Sequence, residues 1–292
     1  MSVDLLQEKI RKMKNPSIVD LTTSPDRIPP SLMQVNPNWL DAYAAYTRKL
    51  MEVLKDLVPA VRFQFASFSL YGAEGMDLLK TLLAEAKALG YYVLLDSVQI
   101  LSPHMAQQAA DLLLKEDAEW TFDGLIVPTF IGSDGLKPFA KKLKGTDKAL
   151  FGVIRTGNKS AAELQDLLTG NRLSHTAAAD LVNRLGEPMP ARNGYHMIGA
   201  MTGASSADGI RTLRSKYPRL FLLLDGYDYP NANAKNCSFA FDQFGYGAAA
   251  CAGDAVTNAW VYEECDGSEY YLYTLDAAER MKKNLCKYIT IL

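Results

Sequence analysis

The stretch VRFQFASFSLYGAEGMDLLKTLLAEAKALGYYVLLD (61–96) contains the repeating unit that decides the fold. Apolar runs at its two ends, Ala60–Ala66 and Tyr91–Asp96, are typical of strands that are covered on both faces. Between them, Glu74–Leu89 carries apolar residues at helical spacing, namely Met76, Leu79, Leu82, Leu83, Ala86 and Leu89. The stretch therefore predicts a strand, a helix and a second, parallel strand.

The same alternation extends along the chain in both directions. The other predicted strands are Ser17–Thr22, Gly124–Val127, Ala149–Ile154, His196–Met201, Leu220–Leu224 and Gly247–Cys251. The other predicted helices are Trp39–Leu57, Pro103–Lys115, Gly135–Leu143, Ala161–Leu185 (one helix or two), Ala207–Lys216, Asp254–Glu263 and Leu275–Tyr288. Eight strands, each followed by a helix, predict an α/β fold of the (β/α)8 TIM-barrel type, with a doubly wound sheet as the alternative.

Composition narrows the function classes. The 292 residues are 48% hydrophobic, and 31 Lys+Arg against 33 Asp+Glu give a net charge of −2, which argues against nucleic acid or an anionic membrane as partner. The longest apolar runs are too short to cross a bilayer, and the first fifteen residues form a charged amphipathic helix. No linker splits the chain, so we expect a single domain over 1–292 with helical extensions at both ends.

The cysteines and histidines indicate a compartment but no metal. Four cysteines without a CxxC pair are typical of a reduced, cytoplasmic protein. No second His or Cys stands at zinc-ligand spacing from any of the three histidines. A cation site at Asp225, Asp228 and Asp254 competes with simple turn chemistry, which explains these aspartates as well. We therefore expect no metal site.

In a barrel, functional groups stand where the strands end. The predicted strand ends carry the candidates Thr22, Gln64, Asp96, Thr156, Asn158, Thr202, Gly203, Asp225, Tyr227 and Asp254. Arg62, inside the second strand, is a further candidate because its side chain can point into the barrel. An ion pair between Arg62 and Asp96 is the structural alternative to a catalytic role for either residue.

These strand ends resemble one family, the orotidine 5′-monophosphate (OMP) decarboxylases in their longer bacterial form. The residues that carry the resemblance are the stretch 61–96, IVPTFIGSDGLKPF (126–139), FGVIRTGNKSAAELQDL (151–167) and IGAMTGASSADGIRTLR (198–214). The resemblance covers about residues 15–257 in the right order. It implies a TIM barrel that forms a homodimer, uses no cofactor and converts OMP to UMP and CO2 in pyrimidine biosynthesis.

The same resemblance implies a degenerate catalytic array. Active members carry alternating lysines and aspartates, of which Arg62 replaces a lysine and Asp96 is retained. Val98 stands where the proton-donating lysine is expected, and Leu101 where the family places the aspartate that reaches across the dimer. Thr22 stands at the position of the first-strand aspartate. Without the ammonium group, both general acid catalysis and carbanion stabilisation are lost.

The ligand subsites implied by the resemblance also differ. Asp254 aligns with the phosphate-binding arginine, and the loop around Tyr227 carries two further carboxylates, Asp225 and Asp228, which repel a dianion. The segment Thr156-Gly157-Asn158 lacks the serine expected to contact the pyrimidine, although Thr202 and Gly203 keep amides that suit an anion.

Three functions remain open. The first is a decarboxylation-inactive relative that binds a nucleotide, another small molecule or a protein. The second is an active decarboxylase with a displaced proton donor. The third is a new enzyme that acts on a non-phosphorylated ligand through Asp96, Asp225 and Asp254.

Overall fold

The computed structural model describes residues 2–36, 38–97, 99–263 and 265–292. The strands are β1 (Ser17–Asp20), β2 (Ala60–Gln64), β3 (Tyr92–Asp96), β4 (Gly124–Pro128), β5 (Ala149–Arg155), β6 (Leu168–Thr169), β7 (Arg172–Leu173), β8 (Ile198–Gly203), β9 (Leu222–Asp225) and β10 (Ala248–Ala252). Eight of them close into a parallel barrel in the order β1-β10-β9-β8-β5-β4-β3-β2, while β6 and β7 form a separate antiparallel pair. The predicted TIM barrel is confirmed.

The helices surround the barrel, and the first and last elements along the chain are both helices. They are α1 (Ser2–Met13), α2 (Pro30–Val35), α3 (Trp39–Leu54), α4 (Phe65–Ser69), α5 (Gly72–Ala88), α6 (Pro103–Leu113), α7 (Ser133–Leu143), α8 (Ser174–Gly186), α9 (Ala207–Lys216), α10 (Ala234–Ser238), α11 (Asp254–Thr257) and α12 (Tyr270–Cys286). Within the described ranges, no helix has both the length and the apolar composition that crossing a bilayer requires.

Helix α1 covers the end of the barrel at which the strands begin. Its buried stripe, Val3, Leu6 and Ile10, recurs every three or four residues and joins the main apolar core. The Ser2 hydroxyl donates to the Asp123 carbonyl at 2.7 Å. This arrangement leaves the opposite end, where the strands finish, as the barrel mouth.

Strand register brings polar residues together at that mouth. Asp20 at the end of β1 pairs with Arg62 of β2, and Gln64 pairs with Asp96 of β3. On the other side of the barrel, Gly203 of β8 pairs with Asp225 of β9.

The helix predicted over Ala161–Leu185 is wrong in its first half. The structure places a 3-10 helix at Lys159–Glu163, then the β6–β7 hairpin, and begins α8 only at Ser174. The cause is the two-residue turn Gly170-Asn171, where Gly170 has φ +68, a conformation that favours a tight hairpin.

The helix predicted over Asp254–Glu263 is also interrupted. It consists of α11 and a separate 3-10 helix, Ala259–Tyr262. The carbonyl of Thr257 accepts hydrogen bonds from the hydroxyls of Tyr46 and Thr274, so the backbone amide that would continue the helix bonds elsewhere.

Several predicted boundaries differ from those in the structure, most of them by one to three residues. The first strand ends at Asp20 rather than Thr22, and α4 begins at Phe65, where the second strand was expected to continue. The last helix begins at Tyr270 instead of Leu275, because the buried Tyr270 ring stacks on Tyr46 at 4.9 Å.

Candidate functional site

Arg62 reaches across the barrel mouth and pairs with carboxylates from three strand ends. Its Nη2 lies 2.6 Å from Asp20 Oδ2, its Nη1 lies 2.6 Å from Asp225 Oδ1, and the same Nη1 is 3.9 Å from Asp96 Oδ2. We call these four residues the Arg62 cluster. The predicted pair with Asp96 exists, but the closer partners are Asp20 and Asp225.

The cluster is almost closed to solvent. Asp20 is 2% exposed, Asp96 5% and Arg62 8%, so the charges are buried and depend on one another. Burial alone works against the charged guanidinium, but the surrounding carboxylates, Asp20 foremost, raise the pKa of Arg62 well above its ordinary value. Arg62 therefore stays protonated and cannot serve as a general acid near neutral pH.

Asp20 is the residue that sequence reasoning missed. The Gln64 amide Nε2 donates to its Oδ2 at 2.6 Å, and the Thr22 backbone amide donates to its Oδ1 at 2.9 Å. The Thr22 hydroxyl accepts from the Gln64 backbone amide at 3.0 Å. An aspartate therefore does stand at the end of β1. Thr22, which the sequence analysis assigned to that position, instead donates its backbone amide to this aspartate.

The loop after β9 brings a carboxylate into hydrogen-bonding contact with backbone amides that follow β10. Asp228 Oδ2 accepts from the backbone amides of Gly253 at 3.1 Å and Ala255 at 3.3 Å. In TIM barrels the loops after the last two strands commonly bind phosphate through such amides. Here the chain's own carboxylate occupies these donors.

Asp254 lies outside the Arg62 cluster. Its side chain is exposed at the start of α11, and its Oδ1 accepts from Asn258 Nδ2 at 2.7 Å. Of the set of Asp96, Asp225 and Asp254 proposed for a new enzyme, the structure brings Asp96 and Asp225 together at Arg62, whereas Asp254 bonds to Asn258. Within the described residues, no group of three or more His, Cys, Asp or Glu side chains is arranged to hold a metal ion.

Tyr229, which the sequence analysis did not select, covers part of the mouth. A Cβ added at Gly157 would lie 2.9 Å from its ring, and one added at Gly226 would lie 2.6 Å from it. Burial, followed by the carboxylates of Asp225 and Asp228, raises the pKa of Tyr229. The ring thus fits into space left by two glycines, next to the Arg62 cluster.

Tyr227, which was selected, points elsewhere. Its phenol lies beside Cys237 of α10 and Asn284 of α12, in the helical layer outside the barrel. Tyr227 and Tyr229 are two residues apart along one loop, and only the fold distinguishes their surroundings.

The loop after β5 is held by its own side chains. Gln165 Oε1 accepts from the Thr156 backbone amide at 2.7 Å, and the Thr156 hydroxyl contacts Asn158 Oδ1 at 2.6 Å. Gly203 lies against this loop, since a Cβ there would be 2.5 Å from Gly157 Cα. The neighbouring Thr202 is buried within β8.

The segment after β3 is only partly described. Val98, which stands at the expected position of the proton-donating lysine, lies outside the described residues. Leu101 is 55% exposed, as a residue facing solvent or a partner surface would be.

Several curated proteins that are similar in sequence are named orotidine 5′-phosphate decarboxylase. The chain is 24% identical over 285 residues to the orotidine 5′-phosphate decarboxylase of Caldicellulosiruptor saccharolyticus, covering 91% of this chain and 93% of that protein. It is 27% identical over 277 residues to the Clostridium kluyveri protein of the same name, covering 93% and 92%. No family model matches the chain.

Solved structures show the same architecture. Plasmodium berghei orotidine 5′-monophosphate decarboxylase superposes with a TM-score of 0.78 at 13% identity, over 98% of this chain and 97% of that one. Leishmania donovani OMP decarboxylase gives 0.69 at 21% identity, over 97% and 98%. The resemblance drawn from the strand-end motifs is thereby confirmed for most of the chain.

Proposed function

We propose that this relative of the orotidine 5′-phosphate decarboxylases does not decarboxylate OMP and instead binds a non-phosphorylated small molecule at the barrel mouth. The observation that carries the proposal is the contact of Asp228 with the amides of Gly253 and Ala255. A phosphate at these amides would have to displace a bonded carboxylate and approach its negative charge.

The Arg62 cluster supports the proposal from the chemical side. Decarboxylation without a cofactor needs a proton donor near the developing carbanion. In the described part of the chain, Arg62 is the only side-chain cation paired with Asp20 and Asp225, and its raised pKa makes it a poor acid.

The charge of the mouth indicates the class of ligand. Three carboxylates surround one guanidinium in the Arg62 cluster, and Asp228 lies nearby. Such a mouth favours a neutral ligand with hydrogen-bond donors, or a cation, over a dianion. Tyr229 adds an aromatic surface on which a flat ligand can stack.

The test compares OMP with orotidine, the same molecule without phosphate. We expect no protein-dependent change in OMP ultraviolet absorbance, and OMP binding no tighter than orotidine binding. Turnover proportional to protein concentration would instead support an active decarboxylase with a displaced donor, and would refute the proposal.

A variant tests the same proposal through an expected gain of binding. Asp228→Ala removes the competing carboxylate and exposes two amide donors, so affinity for UMP should rise by about tenfold or more in titration calorimetry. The control is Asp208→Ala, which removes an equivalent charge from an exposed side chain in the first turn of α9. Equal UMP affinity in wild type and Asp228→Ala would contradict the role given to Asp228.

A further inference from the structure

A cavity lies at the opposite end of the barrel from the mouth. Its volume is about 260 Å³, and it is bounded by α1 and by the loops that precede β8 and β10. We call it the basal cavity; the residues that matter here are Asp4, Gln7, Glu8, Arg11, Arg192 and Asn193. Pockets for drug-sized ligands measure roughly 300–1,000 Å³, so this one suits a smaller molecule.

Two amide side chains in this cavity have fixed orientations. Gln7 Oε1 accepts from the Gly247 backbone amide at 3.0 Å, and Asn193 Oδ1 accepts from the Tyr195 backbone amide at 3.2 Å. An amide oxygen must face each of these N–H donors, so the NH2 groups cannot exchange places with the oxygens.

Both NH2 groups then lack an acceptor. Gln7 Nε2 and Asn193 Nδ2 are buried and have no hydrogen-bond partner among the described residues. Gln7 as a whole is only 5% exposed, so bulk solvent barely reaches it. A buried donor without an acceptor has lost its hydration without a replacement hydrogen bond, and a ligand oxygen would supply one.

Two guanidinium groups stand at the rim of the same cavity. Arg11 and Arg192 are exposed, and neither forms an ion pair with a described residue. Guanidinium and amide NH2 groups together match the oxygens of a carboxylate. Asp4 and Glu8, which also line the cavity, make it unfavourable for a multiply charged phosphate.

We infer that the basal cavity binds a small carboxylate, with or without an ammonium group, through Gln7, Asn193, Arg11 and Arg192. Asp4 helps to position this site, since its oxygens accept from the backbone amides of Arg192 and Asn193 at 3.2 and 2.9 Å. The inference is independent of the function proposed for the mouth, because the two sites share no residue.

The experiment titrates the full chain with propionate, L-alanine, inorganic phosphate and propionamide, and follows the thermal unfolding midpoint. Saturable stabilisation by propionate or L-alanine, but not by propionamide, is the expected result. Binding of phosphate alone, or of none of the four, would overturn the inference.

Variants locate the effect. The double variant Arg11→Gln/Arg192→Gln should weaken propionate or L-alanine binding by about tenfold or more. Asn193→Asp keeps the oxygen that accepts from Tyr195 but replaces the NH2 donor, and should act in the same direction. Arg219→Gln is the matched control, since it removes an exposed charge before β9, outside the basal cavity. Unchanged affinity in the double variant and in Asn193→Asp would refute the site.

Discussion

Arg62 carries the electrostatic balance of the barrel mouth. We expect Arg62→Gln to lower the free energy of unfolding by about 3–5 kcal/mol, because it leaves buried carboxylates, Asp20 foremost, without their cation. Urea denaturation measures the change. Arg48→Gln is the control: Arg48 pairs with Glu85 at the surface, and such pairs contribute about 0–1 kcal/mol. A similar loss of unfolding free energy in both variants would mean that the buried Arg62 pairs contribute no more to stability than a surface pair does.

His196 links stability to pH. Burial lowers its pKa, a shift that Glu187 opposes and Arg219 adds to, and its Nδ1 has no hydrogen-bond partner among the described residues. A depressed pKa means that the unfolded chain takes up the proton first, so stability falls as pH drops through about 6.5. His196→Gln should flatten this fall in urea titrations between neutral and mildly acidic pH.

The exposed His104 supplies the control for that measurement. His104→Gln should keep the wild-type slope of stability against pH. If His196→Gln keeps it too, the dependence arises elsewhere in the molecule.

At the scale of elements, the loops after β5 and β9 pack through Gly157 and Tyr229. Gly157→Ser inserts a side chain at 2.9 Å from the Tyr229 ring, and overpacking of this kind costs about 1–3 kcal/mol. Tyr229→Ala removes the obstacle, so the serine should cost less in the double variant. Four urea denaturation curves complete the double-mutant cycle. Additive effects would show that the two loops do not depend on each other.

This packing gives a structural reason for the glycine at 157, where the resemblance implies a serine. The sequence alone indicated only the loss of a hydroxyl, because Tyr229 is distant along the chain. The barrel itself was predictable, since its strands and helices have clear apolar periods. The hairpin turn is also visible in the sequence as Gly170-Asn171, but the prediction of a helix over 161–185 did not take this turn signal into account.

The cluster at the mouth was predictable only in part. Arg62, Asp96 and Asp225 were selected because they stand in or after apolar runs. Asp20 was missed because the end of β1 was placed at Thr22. Residues two apart on a strand point to the same face of the sheet, so the side-chain pattern alone does not show which of them ends the strand. Such shifts are decided by register with β2, which is a long-range property.

At the scale of the whole molecule, large apolar side chains are exposed on one side of the mouth. Leu70, Leu101, Phe130 and Leu168, in the segments after β2, β3, β4 and β5, are 84%, 55%, 85% and 74% exposed. Exposed apolar groups that follow neighbouring strands are typical of an interaction surface. We propose that a second copy of the chain covers this surface, as the homodimer expected from the resemblance would require.

Light scattering after size exclusion tests the assembly. We expect a dimer at micromolar concentration, and a shift to monomer in the double variant Leu70→Lys/Phe130→Lys, because two charges would then be buried at the interface without partners. Leu112→Lys provides the control, since Leu112 is 61% exposed on α6, away from the strand-end loops. A monomeric wild type would refute the dimer. A dimer that persists in Leu70→Lys/Phe130→Lys would place the interface on another surface, and the exposed apolar residues at the mouth would then need a different partner.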